Sequence, residues 1–272
     1  MESDKDSIEL LKNLLEAVLG DYYNYYGINT IDIECSLSNK LSNILMEKRP
    51  VFEGYVKTTP EEIDKNRGSI IPPKELNGIF TIVMDSNYFM ESLQKKDYQW
   101  VGTLTHELTH ILDFIQYAEL HHLDNYNAIQ RDMEHRPFML WTECNARAKG
   151  YFFLRKYVFG DKVNDMKDTK QTDFIMEKEL PFQKNVFEKG YGEADDNAWQ
   201  QMYVAAQFLG RYSVWEKLFP NVFTKNVRRQ VLGANMWVLE LYQFFLNNNV
   251  LEVADKKWKD LLEIIRSNWK GI

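Results

Sequence analysis

The sequence predicts an α+β fold, a small sheet joined to a largely helical chain. Three observations predict it. The run GIFTIVMDS (78 to 86) is dense in β-formers and follows a turn-rich stretch. The segment from 97 to 120 repeats apolar residues at helical spacing, and almost everything after residue 87 reads as helix broken by polar loops. With 272 residues, 44% of them apolar, no internal repeat and no low-complexity linker, one domain over residues 1–272 is expected.

In chain order, residues 7 to 19 set Ile8, Leu11, Leu15 and Val18 on one face and meet Gly20, which predicts a helix with a glycine stop. A second helix is expected from about 36 to 48. Strand character is expected only between 51 and 86: VFEGYVKTT alternates, TPEEIDKNRGSIIPPKELNG connects, and GIFTIVMDS is the apolar run. Residues 97 to 120 align Val101, Leu104, Leu108, Ile111 and Ile115, the stripe of a helix packed on a core. A polar loop follows, then a helix over 137 to 160, a charged stretch around 161 to 180, and helices near 196 to 218, 226 to 247 and 254 to 268.

A formal net charge of -7 without a Lys/Arg-rich block argues against nucleic acid as a partner, since phosphate recognition needs a clustered basic surface. No segment approaches the roughly 18 apolar residues of a membrane span. The start, MESDKDSIELLKNLLEAVLG, lacks the basic opening and unbroken apolar run of a secretory signal. Cys35 and Cys144 are too few for a disulfide framework and lack metal spacing. A cytoplasmic protein with reduced thiols is expected, and nothing specifies its oligomeric state.

The chemistry is carried by HELTH, residues 106 to 110. On a helix, positions i and i+4 lie one above the other, so His106 and His110 can aim both imidazoles at one ion. Glu107 is adjacent to that stripe, placed to touch a water on the ion without ligating it. Zinc in catalytic sites keeps an open position and acidifies the water there, which leaves such a carboxylate to take the proton. A chance match to His-Glu-x-x-His in a chain this poor in histidine is expected about once in a hundred sequences, so the context has to support it. It does: the pair falls mid-helix, on a face separate from the apolar one.

Two imidazoles need a third ligand. A histidine six residues past the second would supply it in one zinc-protease pattern, but Asp113 and Gln116 stand where that pattern needs glycine and histidine. The other solution is a glutamate from a later helix. In WTECNARAKGYF (141 to 152), Glu143 shares a face with Ala146 and Gly150, small residues that allow a close helix approach. Glu143 is the expected ligand; the competing reading pairs it with Arg147 at i, i+4 on a solvated face.

With His106, Glu107, His110 and Glu143 so placed, the chain resembles the gluzincins, the thermolysin-like branch of HExxH zincin metallopeptidases, including small intracellular or prophage-type members. The resemblance covers the zinc-binding core, about 79–155: an upstream strand, the motif helix and a glutamate helix with a Glu-x-x-Ala pattern. It implies a zincin-like core with a helical C-terminal part over about 160–272. It implies one catalytic Zn2+ held by His106, His110 and Glu143, and peptide-bond hydrolysis with Glu107 as general base and then proton donor. It also implies that the strand Gly78 to Met84 offers an edge on which an extended peptide pairs. The chain departs from the pattern in two ways: its gap between His110 and Glu143 is longer than in thermolysin, and Arg147 stands where an aspartate often follows the ligand.

Other residues have open roles. Asp113 either orients a ligand imidazole or holds a helix end or loop. Tyr117 reads as packing. His135, Arg147, Tyr151, Tyr203 and Tyr212 all qualify by type as donors to an oxyanion, and the sequence does not choose among them. His121 and His122 read as solvated, while Cys144, Trp199, Trp215, Trp237, Trp258 and Trp269 read as packing. An endopeptidase acting on a restricted peptide or protein substrate is the leading expectation. The alternatives are a regulatory or binding protein keeping zinc for structure alone, and a zinc hydrolase acting on a non-peptide bond.

Overall fold

A computed structural model describes residues 2–48, 59–131, 135–160, 163, 169–194, 197–232 and 236–247. The expected strand at 51 to 58 and the helix over 254 to 268, with Trp258 and Trp269, lie outside the described residues. By its internal contacts the chain divides into two compact units. The first is Met1–Asp132 with Phe152–Val158, the second Met133–Tyr151 with Phe159–Ile272.

In the first unit, α1 (Glu2–Tyr26) leads into β1 (Ile33–Ser38) and α2 (Leu41–Lys48). After α3 (Pro60–Ile63) come β2 (Gly68–Ile71), β3 (Phe80–Asp85), α4 (Ser86–Lys95), α5 (Gln99–Leu120) and α6 (Asn127–Arg131). Helix α1 runs through Gly20 and stops at Gly27, whose φ of 63° is the left-handed conformation of a helix-ending glycine. The expected stop at Gly20 is therefore wrong: Val18, Leu19, Tyr22 and Tyr23 are buried on both sides of it, and that packing outweighs the propensity cost of one glycine, about 1 kcal/mol. The α1 stripe seats partly on the C-terminal turns of a later helix, with the Tyr22 and Phe153 rings 5.0 Å apart.

Residues 33 to 38, in part assigned to a helix by the sequence, form a strand instead, and α2 begins only at Leu41. Among the described residues the sheet has three strands in the order β1-β3-β2, with β1 parallel and β2 antiparallel to β3. The strand read as an exposed edge, β3, is the central one, paired on both sides and buried along its whole length. The expectation that its GIFTIVM composition suits a strand exposed on one side only is overturned as well, since the strand is buried at every residue and such an unbroken apolar run fits a strand covered on both faces. Asp85 ends β3 and caps α4, accepting from the backbone N–H of Asn87 at 2.9 Å and of Tyr88 at 3.2 Å. That turn returns the chain into α5, which packs against β2 and β3 and places the motif beside the sheet.

The second unit holds most of α7 (Arg136–Phe159), then α8 (Thr169–Phe174), a π-helical turn (Ile175–Glu179), α9 (Leu180–Glu193), α10 (Ala198–Leu218), α11 (Lys225–Leu232) and α12 (Met236–Asn247). The last turns of α7, Phe152 to Val158, belong to the first unit. The charged stretch is helical where it is described, from Thr169 on, and α9 follows it. Its exposed side carries Lys184–Glu188 and Lys189–Glu193 pairs at i, i+4, both at 3.7 Å. The expected helix over 226 to 247 is two helices, α11 and α12. Helix α10 lies so close to α7 that a methyl group on Gly210 would stand 2.4 Å from the Cys144 carbonyl oxygen, a crossing only glycine permits. Tyr212, Trp215 and Phe223 form an aromatic core, and Trp215 Nε1–H donates to Tyr151 Oη at 2.7 Å. None of the described helices is long and apolar enough to cross a membrane.

Candidate metal centre

The motif falls in the middle of α5, where Thr105 and Thr109 turn to the buried side. Each hydroxyl donates to the carbonyl one turn back, Val101 O and Thr105 O, at 2.7 Å. With the Thr109 proton so used, Tyr22 donates its own to Thr109 Oγ1 at 2.8 Å, tying α1 to the back of the motif helix. Burial raises the Tyr22 pKa and keeps that hydroxyl a donor; the nearby charge of Asp113 adds to the effect.

On the neighbouring face the two imidazoles stand at 89° to each other, and His106 Nε2 and His110 Nε2 are 3.1 Å apart. Two nitrogens bound at zinc's usual distance in a tetrahedral site are separated by about 3.3 Å. The pair is spaced for a shared ion. His106, His110 and Glu143 each offer one ligand atom, and these atoms all lie within 4.8 Å of one another. His106 is 6% exposed and Glu143 1%, so the three form a group that can hold a metal ion away from bulk water.

Glu143 is the expected glutamate, but its surroundings combine both readings made from the sequence. Arg147 Nη2 does donate to Glu143 Oε1, at 3.2 Å, on a buried rather than a solvated face. Tyr203 on α10 donates its hydroxyl proton to Glu143 Oε2 at 2.8 Å. A carboxylate has about four acceptor positions, so accepting from these two donors is compatible with also ligating a metal. Donors on a ligating carboxylate fix its orientation. The residues present thus fit a divalent ion of the oxygen- and nitrogen-preferring kind.

The five residues named as oxyanion donors separate. Tyr203 and Arg147 touch Glu143, whereas Tyr151 accepts from Trp215 and Tyr212 is fully buried among aromatic rings, both committed to the core. His135 is buried just ahead of α7. Asp113 is buried on α5. Tyr117 is a packing residue as expected, but the His121 ring lies against it with centroids 4.1 Å apart, so His121 is not simply solvated; His122 is exposed at a φ of 50°. Cys144 is buried and Cys35 partly so, and both thiols are free. Trp199 is stacked against the Arg136 guanidinium at 4.8 Å.

Glu107 is 7% exposed, and its side chain lies against the start of β2, where a methyl group on Gly68 would be 3.1 Å from Glu107 Cγ. Nothing in the sequence pointed to β2 at this place; GSII is too short and too plain to read. Comparison of the chain with protein-family models, with curated proteins and with solved structures finds no match in any of the three.

Proposed function

We propose that this protein is a zinc-dependent peptide hydrolase of gluzincin type, an endopeptidase with a restricted protein substrate. The observation that carries the reading is the grouping of His106 Nε2 and His110 Nε2, 3.1 Å apart, with the buried carboxylate of Glu143, while the chain neighbour of His106, the buried Glu107, belongs to none of the ligand positions. A structural metal site has no use for that extra group.

A bound zinc ion would supply Lewis acidity and an acidified water. His106, His110 and Glu143 would hold it, with Tyr203 and Arg147 fixing the direction of Glu143. Glu107 takes the proton released as the peptide carbonyl is attacked and returns it to the leaving amine, the role its place one residue after a ligand suits. A peptide substrate is what the resemblance to the gluzincins implies, and β2 runs beside Glu107.

The test is metal content by mass spectrometry for wild type, Glu143→Ala and Glu107→Gln, with cleavage of a random peptide library run in parallel. About one zinc in wild type, lost in Glu143→Ala and kept in Glu107→Gln with cleavage abolished, is the expected result. Undiminished zinc in Glu143→Ala removes Glu143 from the ligand set. Full cleavage by Glu107→Gln removes the base.

A further inference from the structure

The contacts of Gly68 are explained neither by its backbone nor by the sheet. Its φ lies outside the left-handed region, so the glycine is required by space. A methyl group there would stand 2.9 Å from Thr103 Cγ2, 3.1 Å from Glu107 Cγ and 3.2 Å from Met84 Sδ. Thr103 and Glu107 are one turn apart on α5, and Met84 is its register partner on β3. The start of β2 therefore meets the motif helix as bare backbone, and the place where it does so is the stem of Glu107.

The strand is not free to retreat. Arg67 Nη1 donates to Asp85 Oδ2 at 2.9 Å, and Asp85 N donates to Arg67 O at 3.0 Å. The Arg67 guanidinium lies over the Tyr88 ring at 5.3 Å, and the Tyr88 hydroxyl is 3.2 Å from Thr103 Oγ1. The residue before Gly68 is thus pinned to the β3–α4 junction, and through Tyr88 to the same turn of α5 that a side chain at 68 would strike. The nearest neighbours of the added methyl include neither His106 nor His110.

We propose that Gly68 is a positioning residue for Glu107: the side-chain-free start of β2 is the wall that directs the Glu107 carboxylate toward the metal centre, and any side chain at 68 turns it away while leaving the imidazoles in place. The proposal rests on the reading of Glu107 given above. A sterically neutral glycine would have left open space at this position; here an added methyl meets Thr103 and Glu107 on one helix as well as Met84.

The experiment uses the zinc-loaded full chain and acetohydroxamate as probe, because a hydroxamate chelates the ion and gives its proton to a carboxylate beside it. Zinc content is measured by mass spectrometry and probe affinity by calorimetry for wild type, Gly68→Ala, Glu107→Gln and the double variant Gly68→Ala/Thr103→Ala. Gly68→Ala should keep its zinc and bind the probe about tenfold more weakly, as Glu107→Gln does, the loss of one charge-assisted hydrogen bond. The double variant, freed of the 2.9 Å contact, should recover melting temperature without recovering probe affinity, since the contact with Glu107 remains. Wild-type affinity in Gly68→Ala alongside weakened binding in Glu107→Gln overturns the role of Gly68 alone. Loss of zinc in Gly68→Ala, or rescue of affinity by Thr103→Ala, overturns it too, placing the effect on the ligands or on Thr103. Wild-type affinity in Glu107→Gln overturns the reading of Glu107, and the role of Gly68 with it.

Discussion

Replacing Tyr203 by phenylalanine removes one oxygen and keeps the ring. That oxygen donates to Glu143 Oε2 at 2.8 Å, and Glu143 is 1% exposed, so no bulk water takes its place. Arg147 still donates to the other oxygen at 3.2 Å, and the loss of a hydrogen bond to a buried charge costs about 1.5–3 kcal/mol. With metal bound, the carboxylate is also less firmly oriented, and outer partners of this kind are worth roughly 10- to 100-fold in affinity. Tyr203→Phe is therefore expected to bind zinc at least about tenfold more weakly, about 1.4 kcal/mol. At a free zinc concentration of 100 times the wild-type Kd, the metal stabilises the wild-type fold by about 2.7 kcal/mol, and the variant should keep only about half of that. The assay is chelator competition for affinity, with urea unfolding at fixed free zinc and without zinc. If zinc adds the same stability to the variant as to wild type, the Tyr203 bond serves only the packing of α10 on α7, and the argument that it orients a ligand is refuted.

Three further outcomes follow from the same structure. Burial pushes the Cys35 thiol up from its ordinary value of 9.0 to about 11, so its thiolate fraction at pH 8 is about a hundredfold below that of a free thiol; disulfide-reagent labelling of the native protein should be correspondingly slow and become fast in denaturant. In the second unit Glu216 accepts from Arg228 Nε and Nη2 at 2.7 and 2.8 Å and from the Tyr242 hydroxyl at 2.8 Å, so Glu216→Gln should lower stability to urea by about 3 kcal/mol, the low end for a pair that keeps some solvent contact. Gly20→Ala, with nothing within 4 Å of the added methyl inside α1, should stabilise by about 1 kcal/mol, whereas Gly27→Ala at φ +63° should destabilise by about as much; thermal melts that reverse this order contradict the helix boundary at Tyr26.

Local periodicity made α5 readable, because it presents a long stripe to a core and depends on residues three or four apart. It misread β1 for a reason visible in its side chains. Leu37, Leu41 and Leu45 are spaced by four and suit a helix, while Ile33, Cys35 and Leu37 are spaced by two and suit a strand; Leu37 belongs to both patterns. The choice is made by pairing with β3, which is distant in sequence, and no local count contains it. The exposed-edge reading of β3 failed in the same way: its composition is that of a doubly covered strand, but only the arrival of β1 on one side and β2 on the other shows that both edges are used.

The candidate metal centre divides along the same line. His106, Glu107 and His110 were legible because a helix makes their relation a matter of four consecutive steps. Glu143 was legible only by residue type and by the small side chains beside it, and its burial was not, since Arg147 at i+4 made a solvated pair an equally local solution. The structure keeps that pair and buries it, because Gly210 allows α10 to lie on α7 at the level of Cys144 and Arg147, and the same helix then delivers Tyr203 to the second carboxylate oxygen. Gly68 has the same logic: a missing side chain, not a present one, decides how close a neighbouring backbone comes to Glu107. Motif spacing can identify the groups that would touch a metal, since they share one helix. The groups that would aim them come from other elements, and the glycines at those crossings acquire meaning only once the crossings are known.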